Sequence, residues 1–289
     1  MDLRIKGDSK LFDKYKKEPK KNSKPKKRFN AKPNLGYLFY KDYYRDIDFQ
    51  STDNRENKIS FEQKSKELID KRIYIQKTSK LESQTYFELK TTSMGLLTGS
   101  GHIHETSEEG EFKLGFEFDY TSGLPIVRGS SLKGVLRSAF PMQDCKECKK
   151  EGKCELCLAK EEYIKELLGE DLNNINIENL RDEIFEGKRD NKAMPLSKRD
   201  IFFDIEIIKG DKQNKTLSDE FITPHKNKLK NPIPIKFLKV SADVTFAFRF
   251  NLKDGLINAR QKEELFKKII LDLGLGAKTN VGFGQFLEF

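Results

Sequence analysis

The chain has 289 residues, of which 36% are apolar and 35% charged, with a net charge of +9 at pH 7. That length allows one large domain or two smaller ones. No apolar run approaches the roughly eighteen residues of a membrane span and the N-terminus has no apolar signal segment, so a cytoplasmic protein without membrane contact is expected.

The charge is unevenly placed. Residues 1–30 hold twelve Lys/Arg and four Asp/Glu, a net of +8, which leaves +1 for the other 259. Residues 1–33 are rich in Lys, Asn, Ser and Pro and cannot bury enough apolar surface to offset their ordering entropy. They read as a flexible basic arm that either adds salt-sensitive, sequence-blind phosphate affinity or only solubilises the chain. A nucleic-acid site on the nearly neutral body must rest on local geometry.

Residues 34–84 read as an N-terminal extension. The aromatic cluster from Tyr37 to Tyr44 suits docking on a core better than base stacking, and Phe61, Leu68, Ile69 and Ile73 carry helical spacing within a charged surface helix. Thr85 to Thr92 alternates as a strand. A loop with Gly95, Gly99 and Gly101 follows, carrying His102 and His104, two of the three histidines.

After the apolar run from Phe112 to Tyr120 comes Leu124-Pro125-Ile126-Val127-Arg128-Gly129-Ser130-Ser131-Leu132-Lys133-Gly134-Val135-Leu136-Arg137. The residue before proline is extended. Ser130 and Ser131 suit the start of a helix, with Leu132, Val135 and Leu136 on one face and Lys133 and Arg137 on another. A helix N-terminus with hydroxyls and cations beside it suits a phosphate.

Cys145, Cys148, Cys154 and Cys157 are all the cysteines, spaced C-x2-C-x5-C-x2-C. In a chain expected in a reducing compartment this spacing favours a metal over disulfides. Four thiolates suit a closed, structural tetrahedral zinc site in an insertion at about 141–160, with an iron–sulfur cluster and free thiols as alternatives. Residues 161–190 look helical. A buried strand ends near Ile208, residues 209–218 read as a polar loop, and a proline-spaced segment runs to Leu238. Asp243 to Asn251 alternates as a strand, and Asn258 to Leu273 has helical spacing.

The chain then reads Leu273-Gly274-Leu275-Gly276-Ala277-Lys278-Thr279-Asn280-Val281-Gly282-Phe283-Gly284 and ends in an apolar strand from Phe283 to Phe289. Two Gly-x-Gly pairs flank one cation and two short hydrogen-bonding side chains, a loop chemistry able to hold a sugar-phosphate backbone. The helix-then-strand order excludes a Walker loop and a dinucleotide fingerprint, which need strand then helix. No G-x-S-x-G nucleophile elbow occurs.

Positions 273–284 resemble the glycine-rich loop of the RAMP superfamily, RNA-binding proteins of CRISPR systems. Residues 123–137 resemble that superfamily's G-x-P-x-I-P-G-S-S-L-K-G-x-x-R signature, with Val127-Arg128 in place of Ile-Pro. Asn34-Leu35-Gly36, Phe203-Asp204, Thr223-Pro224-His225 and Pro232 to Leu238 look like the family formed by the sixth subunit of type III-B (Cmr) effector complexes. The resemblance implies an α+β, ferredoxin-like (RRM-like) RAMP domain over 85–289 with large insertions, the glycine loop and the Ser130 helix lying on one side. It also implies a non-catalytic subunit that holds crRNA near its 3′ end, and possibly target RNA, beside other Cmr RAMP subunits. Expected RNA contacts are Ser130, Ser131, Lys133, Arg137, Gly274, Gly276, Lys278, Thr279, Asn280, Gly282 and Gly284. Some RAMP proteins cut RNA, so one alternative is a metal-independent endoribonuclease processing precursor crRNA, with His102 or His104 acting. The other is a purely architectural subunit.

Overall fold

The structure is a computed structural model and describes residues 34–50, 54–73, 75, 85–103, 106, 108–142, 145–148, 152–172, 174–223 and 234–289. The basic arm, His104 and the Pro224-His225 turn lie outside the described residues.

Alternation in Thr85–Thr91 (β1) puts Phe87, Leu89 and Thr91 on one face of the strand. β1 pairs antiparallel with Thr245–Asn251 (β9) from Thr85↔Phe250 to Lys90↔Thr245. Phe87 therefore sits opposite Phe248, and the two rings stack 5.0 Å apart. Around this pair the sheet grows outward. Ile126–Val127 (β2) pairs with Ile205–Lys209 (β6), β6 pairs with β9, and Phe286–Leu287 (β10) pairs with β1. The order is β10-β1-β9-β6-β2, with Ile201–Phe202 (β5) joining the end of β9.

The apolar face is covered by Ala259–Leu273 (α6) and Gly129–Ser138 (α3). A capping box between Asn258 and Gln261 starts α6, and its Leu265, Phe266, Ile269 and Ile270 are buried. Phe266 meets Phe250 at 5.5 Å and Phe202 at 5.7 Å. β1, α3, β6, β9, α6 and β10 thus run β-α-β-β-α-β in an α+β architecture, as the sequence leads one to expect.

Leu35–Tyr40 (α1) and Asn54–Ile69 (α2) belong to the same core. Leu35, Phe39, Tyr43, Phe61 and Leu68 are all buried there, so the charged helix α2 is a surface helix on one face only. Tyr43 stacks on Phe112 at 5.6 Å and shares a hydrogen bond with Ser65. These aromatics pack in the core.

The strands expected to end near Ile208 and to run from Phe283 to Phe289 are shorter, confined to Ile201–Phe202 with Ile205–Lys209 and to Phe286–Leu287. The apolar run 112–120 forms single bridges, Phe116 with His102 and Phe118 with Pro125. The polar loop ends early, because Leu217–Ile222 (β7) pairs with Ile235–Val240 (β8) in a separate hairpin. Leu217 is the buried end of β7, whose remaining residues are half-buried or exposed, so the strand carries little apolar signal.

A buried ionic cluster locks the far end of α6. Lys262 Nζ lies 2.7 Å from Asp200 Oδ2 and 3.7 Å from Glu183 Oε1, and it donates to Lys253 O. Arg189 reaches Glu183 at 2.7 Å from outside. Burial pushes the Asp200 carboxyl up, against the pull of the Lys262 ammonium. The hairpin of Lys188–Arg189 (β3) and Lys192–Ala193 (β4) projects beside this cluster. No helix among the described residues is long and apolar enough to cross a membrane.

Candidate nucleic-acid interface

The glycine loop joins α6 to β10, and its backbone packs directly on the loop that follows β1. Leu275 N–H donates to Gly284 O at 2.9 Å, Gly284 N–H to Gly95 O at 2.7 Å and Ala277 N–H to Leu97 O at 2.8 Å. A Cβ on Gly284 would stand 1.8 Å from Leu275 O, and one on Gly276 2.3 Å from Leu97 O. Both positions also need positive φ, +66° and +84°. The Gly-x-Gly pairs therefore serve close backbone approach, and these N–H groups are engaged inside the protein. Phe283 seals the underside against Phe237, 5.9 Å away, with Leu97 in the same apolar cluster.

What this frame presents outward is its tip. Lys278 adopts φ +59°, and Thr279–Val281 forms a single 3-10 turn. Gln285 Nε2 donates to Thr279 O at 3.2 Å and ties the turn down. Lys278, Asn280 and Val281 are exposed, Gly276 is exposed, and Thr279 and Gly282 are half-buried. Lys278 makes no ion pair among the described residues, so its ammonium faces solvent on a fixed turn.

The helix α3 starts differently from the expectation. Its N-cap is Arg128, which makes no side-chain cap bond, and Ser130 and Ser131 lie inside the first turn with exposed side chains. The cap comes from elsewhere in the chain: Asp204 Oδ1 accepts Gly129 N–H at 2.7 Å. Asp204 also holds Arg128 at 3.1 Å, and Arg128 Nε reaches Glu117 at 2.6 Å. A carboxylate already stands where the helix dipole would draw a phosphate. The sequence marks Phe203-Asp204 only as part of the family resemblance, and nothing local ties that acid to a helix start seventy-five residues earlier. Lys133 lies over the Phe202 ring at 5.8 Å, and Arg137 pairs with Glu186 at 2.8 Å.

The register separates these two elements. Phe203 N–H donates to Arg249 O, and Arg249 faces Tyr86, so α3 begins near the Thr85 end of β1. The glycine loop joins the opposite end, where Thr92 N–H donates to Gln285 O. Six residues along β1 make about 20 Å at ~3.3 Å each. The two elements therefore lie at opposite ends of β1, and one phosphate cannot touch both.

His102 is exposed, with its ring edge-on to Tyr40 at 5.6 Å, and its backbone bridges to Phe116.

The four cysteines do converge. Their sulfurs all lie within 4.8 Å of one another, with Cys145 and Cys154 at 3.6 Å. Four sulfurs each about 2.3 Å from a tetrahedral ion would stand ~3.8 Å apart, so the donor set fits a metal. Cys154 is the N-cap residue of Glu155–Leu168 (α4), its N–H directed at Cys148 Sγ at 3.2 Å, and Cys157 lies in the first turn. Backbone N–H groups, that of Cys148 foremost, bring the Cys145 thiol down to about 7. Burial pushes the Cys157 thiol up.

No curated protein sequence matches the chain. Among solved structures it is similar to a chain of the type III-B Cmr-beta complex bound to cognate target RNA, at 21% identity and TM-score 0.45, covering 81% of this chain and 65% of that one. It thus spans about two thirds of that longer chain. It is also similar to Cmr6 from Pyrococcus furiosus, at 23% identity and TM-score 0.41, covering 73% of this chain and 100% of that one. A family model described as the RAMP superfamily matches residues 88–287, from within β1 to the end of β10 and across both the Gly-Ser-Ser helix and the glycine loop; the chain belongs to the RAMP superfamily.

Proposed function

We propose that this protein is a non-catalytic RNA-binding subunit of a type III-B CRISPR RNA-guided effector complex in antiviral defence. In this reading it holds the crRNA near its 3′ end and packs on a neighbouring RAMP subunit. The observation that carries it is the glycine loop: a backbone frame that allows no Cβ at Gly276 or Gly284 holds Lys278, Thr279 and Asn280 on a fixed, outward turn. A sugar-phosphate backbone would find there one ammonium, unpaired among the described residues, and two short hydrogen-bonding side chains. Base pairing then supplies sequence recognition while the protein holds backbone and shape, as in other RNA-guided effectors.

Ser130, Ser131, Lys133 and Arg137 form a second contact zone about 20 Å along β1, which suits a strand crossing the sheet better than one phosphate site. The cysteine clip holds a structural zinc through Cys145, Cys148, Cys154 and Cys157, all four positions filled by protein.

The test is a gel series in which end-labelled single-stranded crRNA-like RNA meets the purified chain, with EDTA or Mg²⁺, at several salt concentrations. The expected result is a salt-sensitive shift with intact RNA. Discrete cutting in EDTA that is lost when both His102→Ala and His104→Ala are made would replace this reading with the endoribonuclease.

A further inference from the structure

We propose that the cysteine clip is a positioning device: a metal on Cys145, Cys148, Cys154 and Cys157 fixes Lys160 as the cap on the C-terminus of α3, coupling metal occupancy to the RNA affinity of that helix. The RNA half of this inference rests on the reading above.

The last carbonyls of any helix lack intrahelical partners, and a cation near them is favourable. α3 ends without a glycine: its C-cap Ala139 stays right-handed, so the usual left-handed closing turn is absent. The partner of Ser138 O comes instead from α4, where Lys160 Nζ donates at 2.7 Å. Lys160 lies three residues after Cys157 and so shares a helix face with it. Cys157 Sγ also accepts the backbone N–H of Met142, four residues beyond Ser138. Sulfur, Met142 and Lys160 thus join the clip to the end of α3 on two sides.

Among the described residues little else holds the N-terminal turns of α4. Its C-terminal half is anchored on α6 through Tyr163 Oη to Asp272 at 2.8 Å and Lys268 to Leu167 O at 2.7 Å. At the other end a cavity of about 320 Å³, bordered by Gly134, Arg137, Phe140, Met142 and Lys160, leaves Lys160 without close packing. Among the described residues the ionic tie there besides the clip is Lys153, which pairs with Glu161 at 2.6 Å and Glu178 at 3.4 Å on a half-exposed surface, and such pairs are weak. Stripping the metal should therefore loosen Lys160 while the far end of α4 stays docked.

The test uses the full chain. Metal content is measured by atomic emission, amide exchange is followed in residues 134–140, and binding of a single-stranded oligouridylate is followed by anisotropy. The samples are the protein as purified, chelator-stripped, and stripped then given Zn²⁺, together with Lys160→Met and Lys160→Arg. One metal per chain is expected. A charge–helix-end interaction corresponds to about a two- to fivefold effect, so stripping should speed exchange at 134–140 and weaken RNA binding by about that factor, with Zn²⁺ restoring both. Lys160→Met should do the same with its metal retained, and Lys160→Arg should do neither. A chain purified without metal, or stripping that leaves exchange at 134–140 unchanged, would overturn the coupling. Absence of oligouridylate binding by the metal-loaded chain would instead overturn the RNA-binding reading, while the exchange data still decide whether metal positions α3.

Discussion

Replacing Gly284 by Ala tests whether the glycine loop is a backbone-packed frame. The new Cβ would stand 1.8 Å from Leu275 O, too close for any rotamer to relieve, on a backbone at φ +66°. Holding a non-glycine residue in that region costs about 1–3 kcal/mol. Moving the strand away would break two hydrogen bonds, Leu275 N–H to Gly284 O and Gly284 N–H to Gly95 O, each worth about 1 kcal/mol. The sum is about 3–5 kcal/mol, which at roughly 2 °C per kcal/mol for a chain of this size lowers Tm by about 6–10 °C. Thermal unfolding followed by circular dichroism reads this directly. RNA affinity should fall with it, because Lys278 would lose its fixed turn. A Gly284→Ala variant melting within a degree of the parent would refute the close-approach argument and return the glycines to a ligand-cradling role.

Lys262→Met should cost about 3–5 kcal/mol in urea denaturation by leaving Asp200 buried without its cation, while Glu183 keeps Arg189. Adding Asp200→Asn should recover part of that, since one buried charge is then removed. Phe248→Ala, which empties the centre of the β1–β9 ladder, should cost about 3–5 kcal/mol in the same assay. Asp204→Ala removes the cap of α3 and should cost about 1–2 kcal/mol, with the loss read by denaturation and localised to residues 129–132 by amide exchange.

How much of this was legible in the sequence depends on the range of the interaction. The cysteine clip was readable because its four ligands lie within thirteen residues of chain. The β1 strand, α6 and the glycine loop were readable from local periodicity and from glycine itself. What the glycines do was not, because the atoms that forbid a Cβ belong to Leu97, Leu96 and Leu275, and the first two lie in a loop almost two hundred residues earlier. The cap of α3 was hidden for the same reason: Asp204 is seventy-five residues from Gly129, and two serines at the helix start gave a plausible local substitute. The separation of α3 from the glycine loop is a matter of strand register, which the order of elements does not contain. The N-terminal aromatics packed as their apolar character suggested, and Tyr43 and Phe39 joined the main core.

The central claim is that the Lys278–Asn280 turn holds RNA by its backbone. The most direct measurement is the affinity of the purified chain and of Lys278→Ala for single-stranded RNA, by anisotropy over a range of salt concentrations. The account predicts that log K falls linearly with log salt for the parent. Lys278→Ala should bind more weakly across RNA sequences, with a slope shallower by about 0.7, the loss of one phosphate contact, and with unchanged Tm. A variant with the parent's affinity and slope would contradict the account and remove the glycine-loop tip from the RNA site.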